Sequence, residues 1–226
     1  MLLFGKRHSL ALNKEVTGLR LRNPAGIQFS PDNPPSMGKK RILAGFITLN
    51  PPQNNVLQWI TNLQEFRKKT VLAVNLKTDI VRTFSLVYDF ADFIIVDPDT
   101  DNGIDSPDIA DITMLLEELV SLRMCYERYT PIFLRISHGI TPDELHSILA
   151  CCQLSGLDGA VVQGLRKVQL TLEETKGRLP VIGCAENAQE ALDMLQQGAS
   201  LVETNLRPIG FAKLLKMLEN QQSESK

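Results

Sequence analysis

Eight short apolar segments alternating with amphipathic helical ones predict an α/β protein built as one (β/α)8 TIM barrel over residues 1–226. Three observations carry that expectation. The apolar runs fall near residues 25, 43, 72, 93, 132, 159, 180 and 200, at close to even spacing. Most are continuous rather than alternating, as parallel strands covered on both faces are. The length sits at the short end for this architecture, which implies a compact barrel with a trimmed first helix.

The elements follow in order. Residues 16–22 read as a lead-in strand lying outside the core, before the turn at Asn23-Pro24. Ala25 to Phe29 is the first buried strand, and the stretch from Ser30 to Lys40, rich in Pro, Gly and Ser, is a loop with little room for a helix. ILAGFIT (Ile42 to Thr48) is the second strand. After Asn50-Pro51-Pro52 comes a helix over Val56 to Lys69, with Leu57, Ile60, Leu63 and Phe66 at helical spacing. VLAVNL (Val71 to Leu76) precedes a helix over Asp79 to Phe90, and DFIIVD (Asp92 to Asp97) precedes one over Ile109 to Tyr126. PIFLRIS (Pro131 to Ser137) leads to a helix capped by Thr141 with Pro142 first and Glu144 three residues on; it stops at Gly156. DGAVVQ (Asp158 to Gln163) is followed by a weak helical stretch near Thr171 to Lys176. LPVIGC, the helix in ENAQEALDMLQQG and ASLVET close the pattern, before a helix over Pro208 to Glu219 and a disordered tail over 221–226.

Composition narrows the function. Hydrophobic residues at 43% and charged residues at 22% are ordinary for a globular protein. A net charge of −2 gives no global reason for nucleic acid or an anionic membrane as partner. No apolar run approaches the roughly 20 residues that span a bilayer, and the patch before Lys6 and Arg7 is too short for a signal peptide. Cys125, Cys151, Cys152 and Cys184 lack C-x-x-C spacing, so a reduced, cytoplasmic setting is the simplest reading. Cys151 and Cys152 read as helix-face packing.

Ligands of such barrels meet the C-terminal ends of the strands. Two loops there mimic known sites. Asp97, Asp99, Asp101, Asp105 and Asp108 stand at calcium-loop spacing, but Gly103 comes one place late and a strand precedes the run, so a solvated loop is the better reading and no metal site is expected. His138 has no second histidine placed to join it. Cys184 lacks an adjacent histidine and reads as a packed thiol. Arg166, Lys167 and Arg207 could meet an anion, though loop charges are usually solvated. The turn Gly183-Cys184-Ala185-Glu186-Asn187 is where a βα unit commonly holds a phosphate on helix N–H groups. It keeps one glycine and, in Glu186, places a carboxylate where the anion would sit.

Taken in order, the strand ends resemble the dihydroorotate dehydrogenase family, flavin-dependent barrel enzymes of pyrimidine biosynthesis. TGLRLRNPAGIQF, ILAGFITLNPPQN, VLAVNLKT, DFIIVDPDTDNG and PIFLRISHGITPDEL are similar to the first five strands and their loops, and LDGAVVQG, LPVIGC and GASLVET to the last three. The resemblance implies FMN as cofactor, with Asn75, Arg135, Gln163, Gly183 and Thr204 as its contacts, Thr100 as the catalytic base and Asn102 on the substrate. In this chemistry a base removes a proton as hydride passes to the flavin, and a cation such as Arg135 stabilises the reduced ring.

Several positions depart from the family pattern. Its lysine after the first strand falls near Asn33, its fourth-strand Asn is Asp97, its fifth-strand Lys is Arg135, its sixth-strand Asn is Gln163, its Gly-Gly turn is Ala185-Glu186, and its eighth-strand Thr-Gly is Thr204-Asn205. The orotate-binding loop after the second strand is essentially missing. The expected function is therefore a dihydroorotate dehydrogenase-like barrel whose FMN-phosphate turn and orotate site are degraded, with activity weak or lost. The alternatives are a working FMN-dependent oxidoreductase and a non-catalytic binding or regulatory subunit. The expected partner is a small molecule at the C-terminal face, with a homo-oligomer or a paralogous enzyme subunit left open and no membrane association: nothing before Val16 is long enough for a bilayer-docking helix.

Overall fold

The computed structural model describes residues 12–29, 43–67, 70–98, 108–137 and 139–224. A hairpin of β1 (Lys14–Val16) and β2 (Leu19–Leu21) leads into β3 (Ala25–Phe29) and β4 (Phe46–Leu49). Then come α1 (Val56–Arg67), β5 (Val71–Leu76), α2 (Ile80–Val87), β6 (Phe93–Val96), α3 (Ile109–Arg123), β7 (Ile132–Arg135) and α4 (Pro142–Ser155). The chain closes with β8 (Gly159–Gln163), α5 (Leu165–Thr175), β9 (Val181–Ala185), α6 (Ala188–Gln197), β10 (Leu201–Thr204) and α7 (Pro208–Glu224). Strands β3 to β10 pair in parallel and close a barrel in the order β10-β3-β4-β5-β6-β7-β8-β9. The predicted α/β barrel is the observed one; the loop expected over Ser30 to Lys40, in place of a full first helix, lies outside the described residues.

Period-two alternation divides each strand between two cores. One set of side chains, including Ile47, Leu72, Val74, Ile94, Leu134 and Val162, packs outward against the helices. The other set fills the barrel: Phe46, Ala73, Phe93, Ile95, Phe133, Val161, Ile182 and Leu201. Phe93 lies edge-on to both Phe46 and Phe133, with ring centroids 5.5 Å apart in each pair. Space for two of those rings comes from glycine. A Cβ on Gly26 would stand 2.3 Å from the Phe46 ring, and one on Gly159 would stand 2.2 Å from Phe133.

The lead-in differs from its expectation. It is a two-stranded hairpin, turned at Thr17 (φ 49°) and Gly18 (φ 81°), both in the left-handed region that primed turns require. Val16 and Leu21 are buried and join the interior cluster, so the hairpin plugs the N-terminal end of the barrel rather than lying outside the core.

Helix boundaries follow the local chemistry. Thr141 and Glu144 form the expected reciprocal capping box on α4, and Gly156 (φ 73°) ends it. Asp108 and Asn187 cap α3 and α6. In α1, Leu63 is buried but Leu57 is 65% exposed, so the apolar stripe is narrower than its spacing suggested. Helix α5 starts earlier than predicted, at Leu165, because two of its three buried positions are Thr171 and Thr175 rather than aliphatic residues. Helix α7 continues to Glu224, through most of the stretch expected as a tail. Among the described residues no helix is long and apolar enough to cross a membrane.

The N-terminal end carries two matching pins. Asp92 accepts the Leu72 N–H at 2.9 Å and pairs with Arg128 at 3.0 Å. Asp158 accepts the Ile132 N–H at 2.8 Å and pairs with Arg123 at 2.7 Å. Each aspartate just ahead of a strand thus fastens an amide at the start of the preceding strand, the second of β5 and the first of β7.

Candidate functional site

The inward register that places apolar residues in mid-barrel puts polar ones at its C-terminal mouth. Two positions after Ala73, Phe133, Ile182 and Leu201 stand Asn75, Arg135, Cys184 and Glu203; two after Ile95 stands Asp97. They form one connected layer. The Arg135 Nη2 donates to Glu203 Oε2 at 2.7 Å, its Nη1 to Cys184 Sγ at 3.2 Å and its Nε to Asn75 Oδ1 at 3.4 Å. Nε also lies 3.5 Å from Asp97 Oδ2, which Lys77 Nζ approaches at 3.6 Å. Asn75 Nδ2 donates to Asn50 Oδ1 at 2.9 Å, extending the layer to the loop after β4.

Burial makes these contacts matter. Glu203 is 2% exposed and Asp97 3%, so each carboxylate needs a compensating charge. Arg135 and Lys77 balance them pair for pair. Burial works against the Arg135 charge, but Glu203, then Cys184 and Asp97, outweigh it and hold the guanidinium more firmly protonated than usual. Burial first, and Glu203 second, push the Cys184 thiol up to about 12. That makes it a poor nucleophile at neutral pH. At pH 8 a thiol reagent such as 5,5′-dithiobis(2-nitrobenzoate) should label exposed Cys125 promptly. Cys184 and Cys152, the latter also pushed to about 12 by burial, should react only on unfolding. Prompt labelling of Cys184, read by peptide mass, would restore it as a candidate nucleophile.

The residues singled out in the sequence divide. Asn75 and Arg135 meet at the mouth. Gln163 ends β8 and is exposed. Gly183 faces outward, where a Cβ would lie 2.6 Å from the Met194 sulfur, so its lack of a side chain serves the packing of α6 on β9. The Thr204 hydroxyl donates to the Gly26 carbonyl at 3.3 Å within the sheet. Thr100 and Asn102 lie outside the described residues, as do Asn33, His138 and most of the calcium-like loop. Among the described residues no group of three or more His, Cys, Asp or Glu could hold a metal ion. Glu203, Asn50 and Lys77 stand at the strand ends where the sequence places ligands, but the sequence gives them no role. Counting two from Leu201 would have pointed Glu203 inward.

The turn before α6 was expected to oppose a phosphate through Glu186. The carboxylate that fills it belongs to Glu190 instead. Glu190 Oε2 accepts the Glu186 N–H at 2.9 Å, while Asn187 Oδ1 accepts the Glu190 N–H at 2.9 Å. Glu186 itself is exposed. Two of the amides a phosphate would use are thus bonded to the protein's own side chains. With Arg135 matched by buried acids and the Thr204 hydroxyl committed to the sheet, the described residues do not fit FMN in the place the resemblance gives it.

No family model matches the chain, and no curated protein matches it. Solved structures do. The chain is similar to dihydroorotate dehydrogenase from Eimeria tenella in its ligand-free form, with a TM-score of 0.79 and 16% identity over 97% of this chain and 90% of that one. It is similar to the same enzyme in complex with ferulenol, with a TM-score of 0.75 and 16% identity over 95% and 84%. An aldolase, QR15, matches with a TM-score of 0.60 and 14% identity over 80% and 84%. At these identities the likeness is one of fold.

Proposed function

We propose that this chain is a dihydroorotate dehydrogenase-like barrel, related to pyrimidine biosynthesis and cytoplasmic, in which the FMN-dependent activity is weak or lost. The observation that carries the reading is the Arg135–Glu203 pair, 2.7 Å long and closed to solvent on the Glu203 side. A cation useful to a reduced flavin must offer uncompensated positive charge where negative charge develops. Here the guanidinium is spent on Glu203 and Asp97. The self-capped turn before α6 supports the same reading, since a phosphate there would have to displace the Glu190 carboxylate.

What remains is a polar C-terminal face on a well-packed barrel, the arrangement of a pseudoenzyme that serves as a binding or regulatory subunit for a small molecule. The dehydrogenase alternative keeps one specific support, the approach of Arg135 to Asn75 at 3.4 Å. Purified chain incubated with a fivefold excess of FMN and then desalted separates the two. The expected result is a colourless protein with no absorbance near 450 nm. A yellow, stoichiometric complex bleached by dihydroorotate would overturn the proposal.

A further inference from the structure

Beside the mouth, between α1 and α2, lies a cleft of about 1260 Å³ that shares Asn50, Asn75 and Lys77 with the polar layer. This exceeds the roughly 300–1,000 Å³ usual for small-molecule sites, so it admits more than a single ring. The carboxamides Asn50, Gln53, Asn54 and Asn55 and the cations Lys77 and Arg82 line it, together with Asp79 and apolar residues of the β4–α1 loop and both helices. Among the described residues no aromatic side chain lines it.

That chemistry selects its ligand. A carboxamide donates and accepts from adjacent atoms, as a sugar hydroxyl does, so a row of them matches a polyol better than an apolar body. The two cations answer a phosphate. Each already touches an acid, Lys77 with Asp97 at 3.6 Å and Arg82 with Asp79 at 3.4 Å, but both pairs are long and both cations reach solvent. The Arg82 pair is exposed on both sides, so exchanging it for phosphate oxygens costs little, whereas Lys77 stays beside buried Asp97 and contributes its positive charge to the site. We propose that the α1–α2 cleft binds a phosphorylated sugar, free or as part of a nucleotide, with its hydroxyls on Asn50, Gln53, Asn54 and Asn55 and its phosphate between Lys77 and Arg82. The proposal rests on the reading of this face as a ligand-binding surface.

Isothermal titration of the full chain in phosphate-free and FMN-free buffer tests it, with ribose 5-phosphate, ribose, inorganic phosphate and adenosine 5′-monophosphate as probes. Ribose 5-phosphate should bind at least about tenfold more tightly than ribose or phosphate alone. Arg82→Ala and Asn54→Ala, both at exposed positions, should each weaken it about fivefold or more without shifting the melting temperature, while His146→Ala, on the remote face of α4, should not. Adenosine 5′-monophosphate binding more tightly still identifies a nucleotide; its exclusion identifies a free sugar phosphate. Inorganic phosphate binding as well as ribose 5-phosphate, or no heat from any probe at millimolar concentration, overturns the proposal. A yellow protein that still binds ribose 5-phosphate would sink the flavin-free reading and leave this one standing.

Discussion

Arg135→Met should destabilise the protein by about 3–5 kcal/mol, because removing one partner of a buried ion pair leaves the other charge uncompensated in a low-dielectric site. For a chain of this length that corresponds to a fall in Tm on the order of 6–20 °C. The stranded group is Glu203, whose second oxygen, Oε1, already has no hydrogen-bond partner among the described residues. Asp97 keeps Lys77, at 3.6 Å and partly in solvent, and the Asn75 Nδ2 donor at 3.5 Å. Glu203→Leu alone should cost less, since Arg135 retains Asp97 and is 17% exposed. The double variant Arg135→Met with Glu203→Leu should recover most of the loss, as buried ion pairs replaced by apolar groups of similar volume commonly do. Urea denaturation of the four proteins gives the coupling energy directly. A single Arg135→Met variant within about 1 kcal/mol of the parent would show that the mouth is hydrated and that Glu203 is not held by this pair.

The barrel was legible because each inner strand is covered on both faces, by helices outside and by other strands inside. That leaves continuous runs such as VLAVNL and DFIIVD, which no loop imitates. The α4 start was legible for a different reason: Thr141, Pro142 and Glu144 satisfy one another locally, so no distant residue is needed to recognise them. Where burial uses polar residues the signal fades. Helix α5 buries Thr171 and Thr175, with the Thr175 hydroxyl returned to the Thr171 carbonyl at 2.7 Å, and a hydrophobic count sees no stripe there. At the mouth the difficulty is one of distance along the chain. Glu203 and Arg135 are 68 residues apart, and nothing local to GASLVET says that its acid has a cation waiting across the barrel. The turn before α6 failed on a finer point. An acid was expected to oppose phosphate there, but helical spacing lets Glu190 reach back while Glu186 points to solvent. Thr100 and Asn102 lie beyond the described residues, so their roles rest on the resemblance alone.

The N-terminal pin at Asp158 should behave unlike the mouth. Asp158→Ala should cost about 3–5 kcal/mol for stranding Arg123, with a further 1–3 or so for the unpaired Ile132 amide. Here the double variant, Arg123→Met with Asp158→Leu, should not rescue. At the mouth the pair chiefly satisfies itself, but at this end both partners also hold backbone: Asp158 takes the Ile132 N–H at 2.8 Å and Arg123 gives to the Gly156 carbonyl at 3.0 Å. Apolar replacements leave both backbone groups without those partners. Tyr129, stacked under Arg123 and donating its hydroxyl to Asp158, supplies an optical readout. Burial, then the bond to Asp158, raises its pKa from 10.0 to about 12. Because the folded value lies above the unfolded one, the hydroxyl's contribution is fully present below pH 10 and is lost as pH rises toward 12. Tyr129 is more than half exposed, so that slope is shallow. In Asp158→Ala the tyrosinate absorbance near 295 nm should rise at lower pH than in the parent, and stability should decline less between pH 10 and 12. Recovery of the double variant to parental stability would mean that the pin is an ion pair only, and that the first amide of β7 finds its partner elsewhere.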